Sequence, residues 1–284
     1  MNYSRKAFLR VLGLGGLSAA SSPLQAASGL TAQQSLIVAG DLTLGLASYT
    51  TRKYSLDETL AMAGRLNIQQ IALKSMHLPL ESSDEEIQRT IKKVEEAGAH
   101  AYGAGVVYMK SSTEVENAFR YAKAAQMEMI IGVPSHDLLS LVDQKVKETN
   151  IMLAIHNHGP GDDVYPTPEV VYSKIKSLDK RIGLCMDIGH VQRLGLDPVE
   201  NIRKYADRLL DLHLKDVSSA TAEGRSVELG RGVINIPAVI DALKEINYTG
   251  VMALEFEKDG DDVLPGLSEC VGYAHGIMDT ANPG

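Results

Sequence analysis

Short apolar runs alternate with amphipathic segments along most of this sequence, and eight such pairs can be counted from Leu42 onward. The runs begin at Leu42, Gln70, His100, Met127, Ile151, Ile182, Leu209 and Val251. Each run is nearly continuous in apolar residues, as strands are when helices cover both faces of a parallel sheet. A repeated strand–helix unit indicates an α/β fold, and eight units favour closure into a single (β/α)8 barrel.

The segments between the runs have the features of helices. In DEEIQRTIKKVEEAG, Asp84 is expected to cap the helix and Gly98 to end it. Three apolar residues recur at helical spacing between them: Ile87, Ile91 and Val94. An open doubly wound sheet is the alternative to a barrel. Such a sheet usually carries a glycine-rich phosphate-binding turn after an early strand, and none follows the first run here.

Length and composition fit one globular domain. A (β/α)8 barrel takes about 250 residues as one unit, and this chain has 284, so we predict a barrel over residues 36–284. The formal net charge of -8 and the lack of a basic patch disfavour a nucleic-acid partner. No apolar run after the N-terminal segment is long enough to span a membrane. The sequence does not decide the oligomeric state, and a homo-oligomer is one of the alternatives that it leaves open.

The first 27 residues have the layout of a signal peptide. The charged stretch SRKAFLR is followed by the apolar VLGLGGLSAA and by small residues near Ala26 and Ala27. SRKAFLR resembles the twin-arginine export motif with Lys6 in place of the second arginine, which leaves the export route open. An ordinary amphipathic first helix is the alternative. We predict export to the periplasm.

The two cysteines give no sign of a disulfide bond. Cys185 falls in a predicted strand and Cys270 in the predicted last helix. Buried thiols are therefore expected at both positions.

Polar side chains recur at the ends of the predicted strands. Reactive groups of (β/α)8 barrels lie at the carboxyl ends of the strands, because the loops there surround the accessible mouth. The late polar residues of the second, fifth, sixth, seventh and eighth runs are His77, His156 and His158, Asp187 and His190, His213 and Lys215, and Glu255 and Glu257. The strand period of two places the members of each same-strand pair on one face.

Four of these residues form a set suited to a metal ion. His156, Asp187, His213 and Glu255 supply two imidazoles and two carboxylates from four successive strands. Such ligands suit one divalent ion, which we expect to be manganese, cobalt, iron, zinc or magnesium. We therefore predict a single metal site at the barrel mouth.

The remaining polar residues have a functional and a structural interpretation. His158 can orient a ligand or contact the substrate. His77 and His190, taken singly, are explained equally well as hydrogen-bonded core histidines. Lys215 can bind substrate or move a proton, or can simply pair with Asp216. Arg231 lies between two glycines, whose flexibility would let the guanidinium reach the mouth, or it is an ordinary loop charge.

Five motifs together resemble the xylose isomerase-like sugar phosphate isomerase/epimerase barrels. They are LAIHNHG, CMDIGH, DLHLKD, LGRGVINIP and ALEFE, and the similarity runs from about Leu42 to Ala274. The resemblance implies a TIM-barrel fold, a catalytic divalent ion and a small carbohydrate substrate. It also implies that Asp187, His213 and Glu255 are metal ligands.

By the same motifs, the resemblance places His190, Lys215 and Arg231 near the substrate. Many relatives have Glu-Asn-His in the fifth strand, where this chain has His156-Asn157-His158. A ligand that is also a carboxylate base has therefore become an imidazole. That exchange bears on which reaction the barrel can catalyse.

We expect an isomerase- or epimerase-type enzyme that removes a proton next to the carbonyl of a keto-sugar. Glu255 is the expected base, with His156 or His190 as alternatives, and Lys215 is expected to protonate an oxygen. Loss of a neighbouring group from the same enediolate would instead make the protein a lyase of 3-keto-glycosides, which needs one base and suits His156. An exported enzyme is expected to act on a neutral oxidised sugar or glycoside.

Two other functions are compatible with the same fold. Endonuclease IV-like phosphodiesterases use three metals and a basic surface, whereas this chain is acidic and has Val107 and Tyr108 where the third run would need a ligand. The second alternative is a barrel that binds sugar without catalysis, with the pocket of the enzymes but no turnover of the bound sugar.

Overall fold

Eight parallel strands close into a barrel in the computed structural model of the chain, which describes residues 42–280. The barrel strands are β1 Thr43–Ala47, β2 Gln70–Leu73, β3 His100–Met109, β4 Met129–Pro134, β5 Met152–His156, β6 Ile182–Asp187, β7 Leu209–Leu214 and β10 Val251–Leu254. Each predicted apolar run contains one of them, so the barrel prediction is confirmed and the open-sheet alternative is wrong. The predicted signal peptide at residues 1–27 and the predicted domain start at residue 36 lie outside the described residues.

Helices follow the strands around the outside of the barrel. They are α1 Leu56–Arg65, α2 Asp84–Glu96, α3 Ser112–Ala124, α4 Leu139–Thr149, α5 Pro168–Ile175, α6 Ile188–Arg193, α7 Pro198–Lys204, α8 Ile236–Glu245 and α9 Leu264–Thr280. Short 3-10 helices cover Ser48–Thr51, His136–Leu138 and Ala206–Arg208. A small antiparallel hairpin of β8 Asp216–Val217 and β9 Ser226–Val227 follows β7. In the described part of the chain, no helix is both long and apolar enough to cross a bilayer.

The start of α2 differs from the expectation that Asp84 caps it. Ser83 is the cap: its hydroxyl accepts from the Glu86 amide at 3.3 Å, and the Glu86 carboxylate accepts from the Ser83 amide at 2.9 Å. This reciprocal pair satisfies two amides that the helix itself leaves without partners. Asp84 instead occupies the first turn, where its charge favours the helix dipole. Gly98 follows the helix with a φ of +79°, as the glycine stop predicted.

The apolar core has two parts. The larger cluster packs the outer faces of the strands against the helices, and a smaller one contains Ala72, Tyr102, Met129, Ile131, Ala154 and Cys185. Cys185 and Cys270 are both free and buried, which confirms the prediction of unpaired thiols.

Strand register sets the height of the polar residues at the mouth. Asp187 at the end of β6 pairs with His213 in β7, and His156 at the end of β5 pairs with Cys185 in β6. The last paired residue of β10, Leu254, is matched with Leu214 in β7, so Glu255 follows one position beyond. The carboxyl ends of four neighbouring strands therefore present their polar side chains at one level.

A buried arginine stabilises the opposite end of this half-barrel. Arg208 is 4% exposed, and its guanidinium donates to four backbone carbonyls. The acceptors are Lys176 at 3.1 Å, Leu178 at 3.0 Å, Asp179 at 2.9 Å and Ile182 at 2.8 Å. These bonds fix the turn that leads from α5 into β6.

We expect R208M to lower the free energy of unfolding by about 3 kcal/mol or more, because four buried acceptors lose a charged donor. The control is R203M, which removes an exposed ion pair with Glu245 and should leave the free energy of unfolding nearly unchanged. Urea unfolding followed by far-ultraviolet circular dichroism measures both. Equal midpoints for R208M and R203M would contradict this account of Arg208.

Candidate active site

Four buried side chains meet at the carboxyl ends of β5, β6, β7 and β10. One ligand atom from each of His156, Asp187, His213 and Glu255 lies within 4.8 Å of the others. His156 Nε2 is 3.0 Å from His213 Nδ1 and 3.7 Å from Asp187 Oδ2, and His213 Nδ1 is 3.3 Å from Glu255 Oε2. The structure thus brings together all four residues predicted as metal ligands.

The donor set fits a divalent cation. Two imidazoles and two carboxylates are the mixed nitrogen and oxygen ligands that zinc and similar ions accept. Asp187 Oδ2 is buried and forms no hydrogen bond with any residue between 42 and 280, although Lys215 Nζ lies 3.2 Å away. A buried carboxylate oxygen without a partner is costly, and a cation among the four groups would satisfy it. We conclude that this cluster could hold one metal ion.

Local hydrogen bonds hold Asp187 in place. Its Oδ1 accepts from the His190 amide at 2.8 Å and so caps α6, which leaves Oδ2 to face the cluster. Asn157 at the end of β5 forms a reciprocal pair with the Asp187 backbone: its amide donates to the carbonyl at 3.2 Å and its oxygen accepts from the amide at 3.1 Å. These bonds tie the ends of β5 and β6 together.

A carboxylate outside the four-residue cluster, that of Asp211, lies on the side of the His213 ring that faces away from the cluster. Asp211 Oδ2 is 4.0 Å from His213 Nε2, and neither atom has a hydrogen-bond partner among the described residues. Tyr102 donates its hydroxyl proton to Asp211 Oδ1 at 3.1 Å. Burial raises the pKa of Asp211. Carboxylates commonly orient metal-binding histidines from behind, and here Asp211 would leave His213 Nδ1 facing the cluster.

Lys215 lies among three carboxylates. Its Nζ is 2.9 Å from Glu255 Oε2 and 3.2 Å from Asp187 Oδ2, and it also donates to Glu257. Burial lowers the pKa of Lys215, but these carboxylates outweigh burial and hold the pKa well above its usual value. Burial likewise raises the pKa of Glu255, yet Lys215 and His213 hold it well below its usual value. Both groups are therefore charged at neutral pH.

His190 presents an N–H group near the cluster. Arg193 Nη1 lies 3.3 Å from His190 Nδ1, and a guanidinium can only donate, so Nδ1 accepts this bond. Burial lowers the pKa of His190, which keeps its ring neutral. The proton of the neutral ring is therefore on Nε2, which lies 3.8 Å from Asp187 Oδ2.

A cavity of about 350 Å³ opens beside the cluster. It is lined by Tyr49, Lys74, Val106, Tyr108, His156, His158, His190, Arg193, Glu255 and Glu257. His158 accepts or donates a hydrogen bond with the Tyr108 hydroxyl at 2.9 Å, and the Tyr108 ring is 47% exposed at the mouth. This volume lies within the usual range of small-molecule pockets, about 300–1,000 Å³.

Four polar residues of this lining were not identified from the sequence as candidate site residues. Lys74 directly follows β2 and Tyr108 lies near the end of β3, so the position of polar residues late in a strand could have identified both. Tyr49 and Arg193 lie in short helices after β1 and β6, where no strand pattern identifies them.

Two predicted substrate contacts are not brought to this cavity. His77 is buried, with Nδ1 2.9 Å from Ser48 Oγ and Nε2 3.1 Å from the Tyr54 carbonyl. Arg231 pairs with Glu269 in α9, with Nη2 2.8 Å from Oε2. The glycines beside Arg231 do not leave it free to turn, because both of their amides donate to Asp216 Oδ2 at 2.9 Å, and Glu269 compensates the arginine charge. Substrate binding by His77 and Arg231 stays a prediction, because neither side chain lies in the lining of the cavity.

Comparison with known proteins gives matches to enzymes of carbohydrate chemistry. A family model described as xylose isomerase-like TIM barrel matches residues 38–270. The inosose dehydratase of Clostridium tetani is 29% identical over 136 residues, which cover 43% of this chain and 45% of that protein. The chain thus spans less than half the length of the curated relatives it matches.

Solved structures share the fold at low identity. The structure of the IOLI protein with a binding zinc atom superposes with a TM-score of 0.72 and 15% sequence identity. The alignment covers 86% of this chain and 100% of the IOLI chain. L-Ribulose 3-epimerase has a TM-score of 0.71 and 16% identity, covering 84% and 95%.

We expect D187N to weaken zinc binding by roughly 100-fold or more, because loss of an outer-shell partner alone costs about 10- to 100-fold. The asparagine oxygen can still accept from the His190 amide, so α6 should keep its cap. The control D241N changes an exposed carboxylate on α8. Competition with a chromogenic chelator measures the affinity, and circular dichroism checks folding. If folded D187N binds zinc as tightly as D241N does, Asp187 is not a ligand.

Proposed function

The chain belongs to the xylose isomerase-like TIM barrel family, and from this we propose that it is a divalent-metal-dependent enzyme that removes the proton next to the carbonyl of a keto-sugar. The observation that carries the proposal is the convergence of His156, Asp187, His213 and Glu255 beside a sugar-sized cavity. The matched inosose dehydratase and L-ribulose 3-epimerase are both named for reactions of sugars or their cyclitol relatives.

The four clustered residues would hold the cation. When bound, it would polarise the carbonyl and an adjacent hydroxyl and so acidify the carbon between them. The zinc atom in the IOLI structure makes zinc the first ion to test, with manganese, cobalt, iron and magnesium as alternatives.

Glu255 is the proposed base. Its carboxylate lines the cavity and is ionised at neutral pH, because Lys215 and His213 outweigh the effect of burial on its pKa. A charged carboxylate at hydrogen-bond reach of the substrate can take the proton from carbon. The Lys215 ammonium and the His190 Nε2–H are donors positioned to bind or protonate substrate oxygens.

An elimination is the second candidate, favoured by the identity of residue 156. A two-base epimerase needs an acid/base group on each face of the enediolate. Burial lowers the pKa of His156 to about 3, so this ring is a much weaker base than the carboxylate that many relatives have at the same position. Glu255 as the base, with the Lys215 and His190 donors nearby, suits removal of a proton and loss of a neighbouring group, as in a lyase of 3-keto-glycosides.

A phosphodiesterase with three metals has less support. Within residues 42–280, the two groups of side chains able to hold a metal share His156 and His213 and so describe one centre. A non-catalytic sugar binder would have the same centre, and only a measurement of proton exchange separates it from an enzyme.

We expect the zinc-loaded protein to exchange a carbon-bound proton of its substrate with solvent. D-Fructose, inosose and a methyl 3-keto-glucoside would be incubated in deuterated water and followed by NMR. Deuterium in recovered sugar indicates isomerase or epimerase chemistry, and released methanol or a dehydrated ring indicates elimination. E255Q should reduce the rate roughly 1,000-fold or more, because the proposed base is lost.

The control is E245Q, an exposed residue that pairs with Arg203 on the outer surface and should leave the rate unchanged. Zinc content is measured for each variant, so that loss of a ligand is distinguished from loss of a base. Absence of exchange and elimination with all three compounds, at full zinc occupancy, would favour the sugar-binding protein over the enzyme.

A further inference from the structure

A second cavity of about 340 Å³ adjoins the first. It lies between α6 and the β8–β9 hairpin and is lined by His190, Arg193, Lys215, Val217, Gly224, Arg225, Ser226, Glu257 and Lys258. Three of these side chains, His190, Arg193 and Glu257, also line the first cavity. A substrate seated at the cluster could therefore extend past them into the second cavity.

The second cavity carries an excess of positive charge. Its lining includes four cationic side chains and one carboxylate, that of Glu257. Two of the cations are compensated, because Lys215 lies among three carboxylates and Lys258 pairs with Glu228 at 2.7 Å. Arg193 and Arg225 form no ion pair with the carboxylates of residues 42–280. Two guanidinium charges therefore face this space in a chain whose net charge is -8.

Arg193 has a donor to spare. Nη1 donates to His190 Nδ1 at 3.3 Å and Nη2 donates to the Ala222 carbonyl at 2.6 Å. These two bonds fix the plane of the guanidinium between α6 and the hairpin loop. Its Nε is buried and has no hydrogen-bond partner among the described residues. The guanidinium is thus held in one orientation at the boundary of the two cavities, with hydrogen-bonding capacity that the protein leaves unused.

We propose that the second cavity binds a carboxylate or phosphate group carried by the substrate, beyond the carbons that react. The guanidinium groups of Arg193 and Arg225 are the recognition elements, since a planar fork of donors matches either anion. The inference rests on the proposed function for the position of the reacting carbons. The proposed site implies an anionic substrate in place of the neutral sugar expected from the sequence. It also gives Arg193 the substrate-binding role that the sequence motifs indicated for Arg231.

The test compares three ketoses that differ at one carbon. D-Fructose is neutral, D-fructuronate carries a carboxylate, and D-fructose 6-phosphate carries a phosphate. Calorimetric titration of the zinc-loaded full chain should give at least one anionic ketose an affinity about 10-fold or more above that of D-fructose. Preference for one anion over the other identifies which group the cavity takes.

Three matched arginine variants locate the effect. R193M and R225M should each reduce the advantage of the anionic ketose roughly 10-fold, and R203M, which removes a surface ion pair with Glu245, should leave it unchanged. R225M is the second variant needed because Arg193 also contacts His190. The proposal is overturned if the three ketoses bind wild-type protein equally, if neither anionic ketose binds, or if both R193M and R225M keep the full preference.

The outcome is independent of the proposed reaction. Charge-dependent binding without proton exchange would leave the anion site standing and remove the proposed function. Proton exchange without a preference for anionic ketoses would leave the proposed function standing and remove the anion site.

Discussion

Burial of polar side chains at the carboxyl ends of parallel strands is the constraint on which this structure depends. Closing eight strands into a barrel brings Asp187 and His213 into direct register and places His156 and Glu255 beside them. None of these groups can be left alone in a buried position: the carboxylates need a partner of opposite charge, the imidazoles need a hydrogen-bond partner, and a shared cation would serve all four. Burying two carboxylates and two imidazoles together is unfavourable without a cation, and for the same reason the cluster is suited to bind one.

The charges around the cluster balance one another through Lys215. Its ammonium lies between Asp187, Glu255 and Glu257, and each of the three carboxylates stabilises the charged form of the amine. Beyond this ion-pair network, the Asn157 pair with the Asp187 backbone and the Asp211 carboxylate behind His213 hold the ring of ligands from outside. Asn157 and Asp211 thus fix the geometry of the cluster although neither lines the two cavities.

The sequence predicts the strands and the four clustered residues because both depend on local patterns. An apolar run that ends in His156 or Asp187 can be identified without knowing any distant contact. Arg193 and Arg231 could not be assigned in this way, because tertiary structure decides which distant group each one meets: the Ala222 carbonyl in the hairpin loop for Arg193, and Glu269 on α9 for Arg231. Ser83 takes the cap expected of Asp84 because both residue types suit that position and only the backbone path separates them.

Asp187 divides its two oxygens between a helix and the cluster, one accepting from the first turn of α6 and the other turned inward. That short helix bears His190 and ends at Arg193. The same carboxylate therefore caps the helix and supplies one side of the cluster. A substitution of Asp187 that removes both oxygens would leave His190 and Arg193 on a helix without its cap, in addition to taking one member from the cluster.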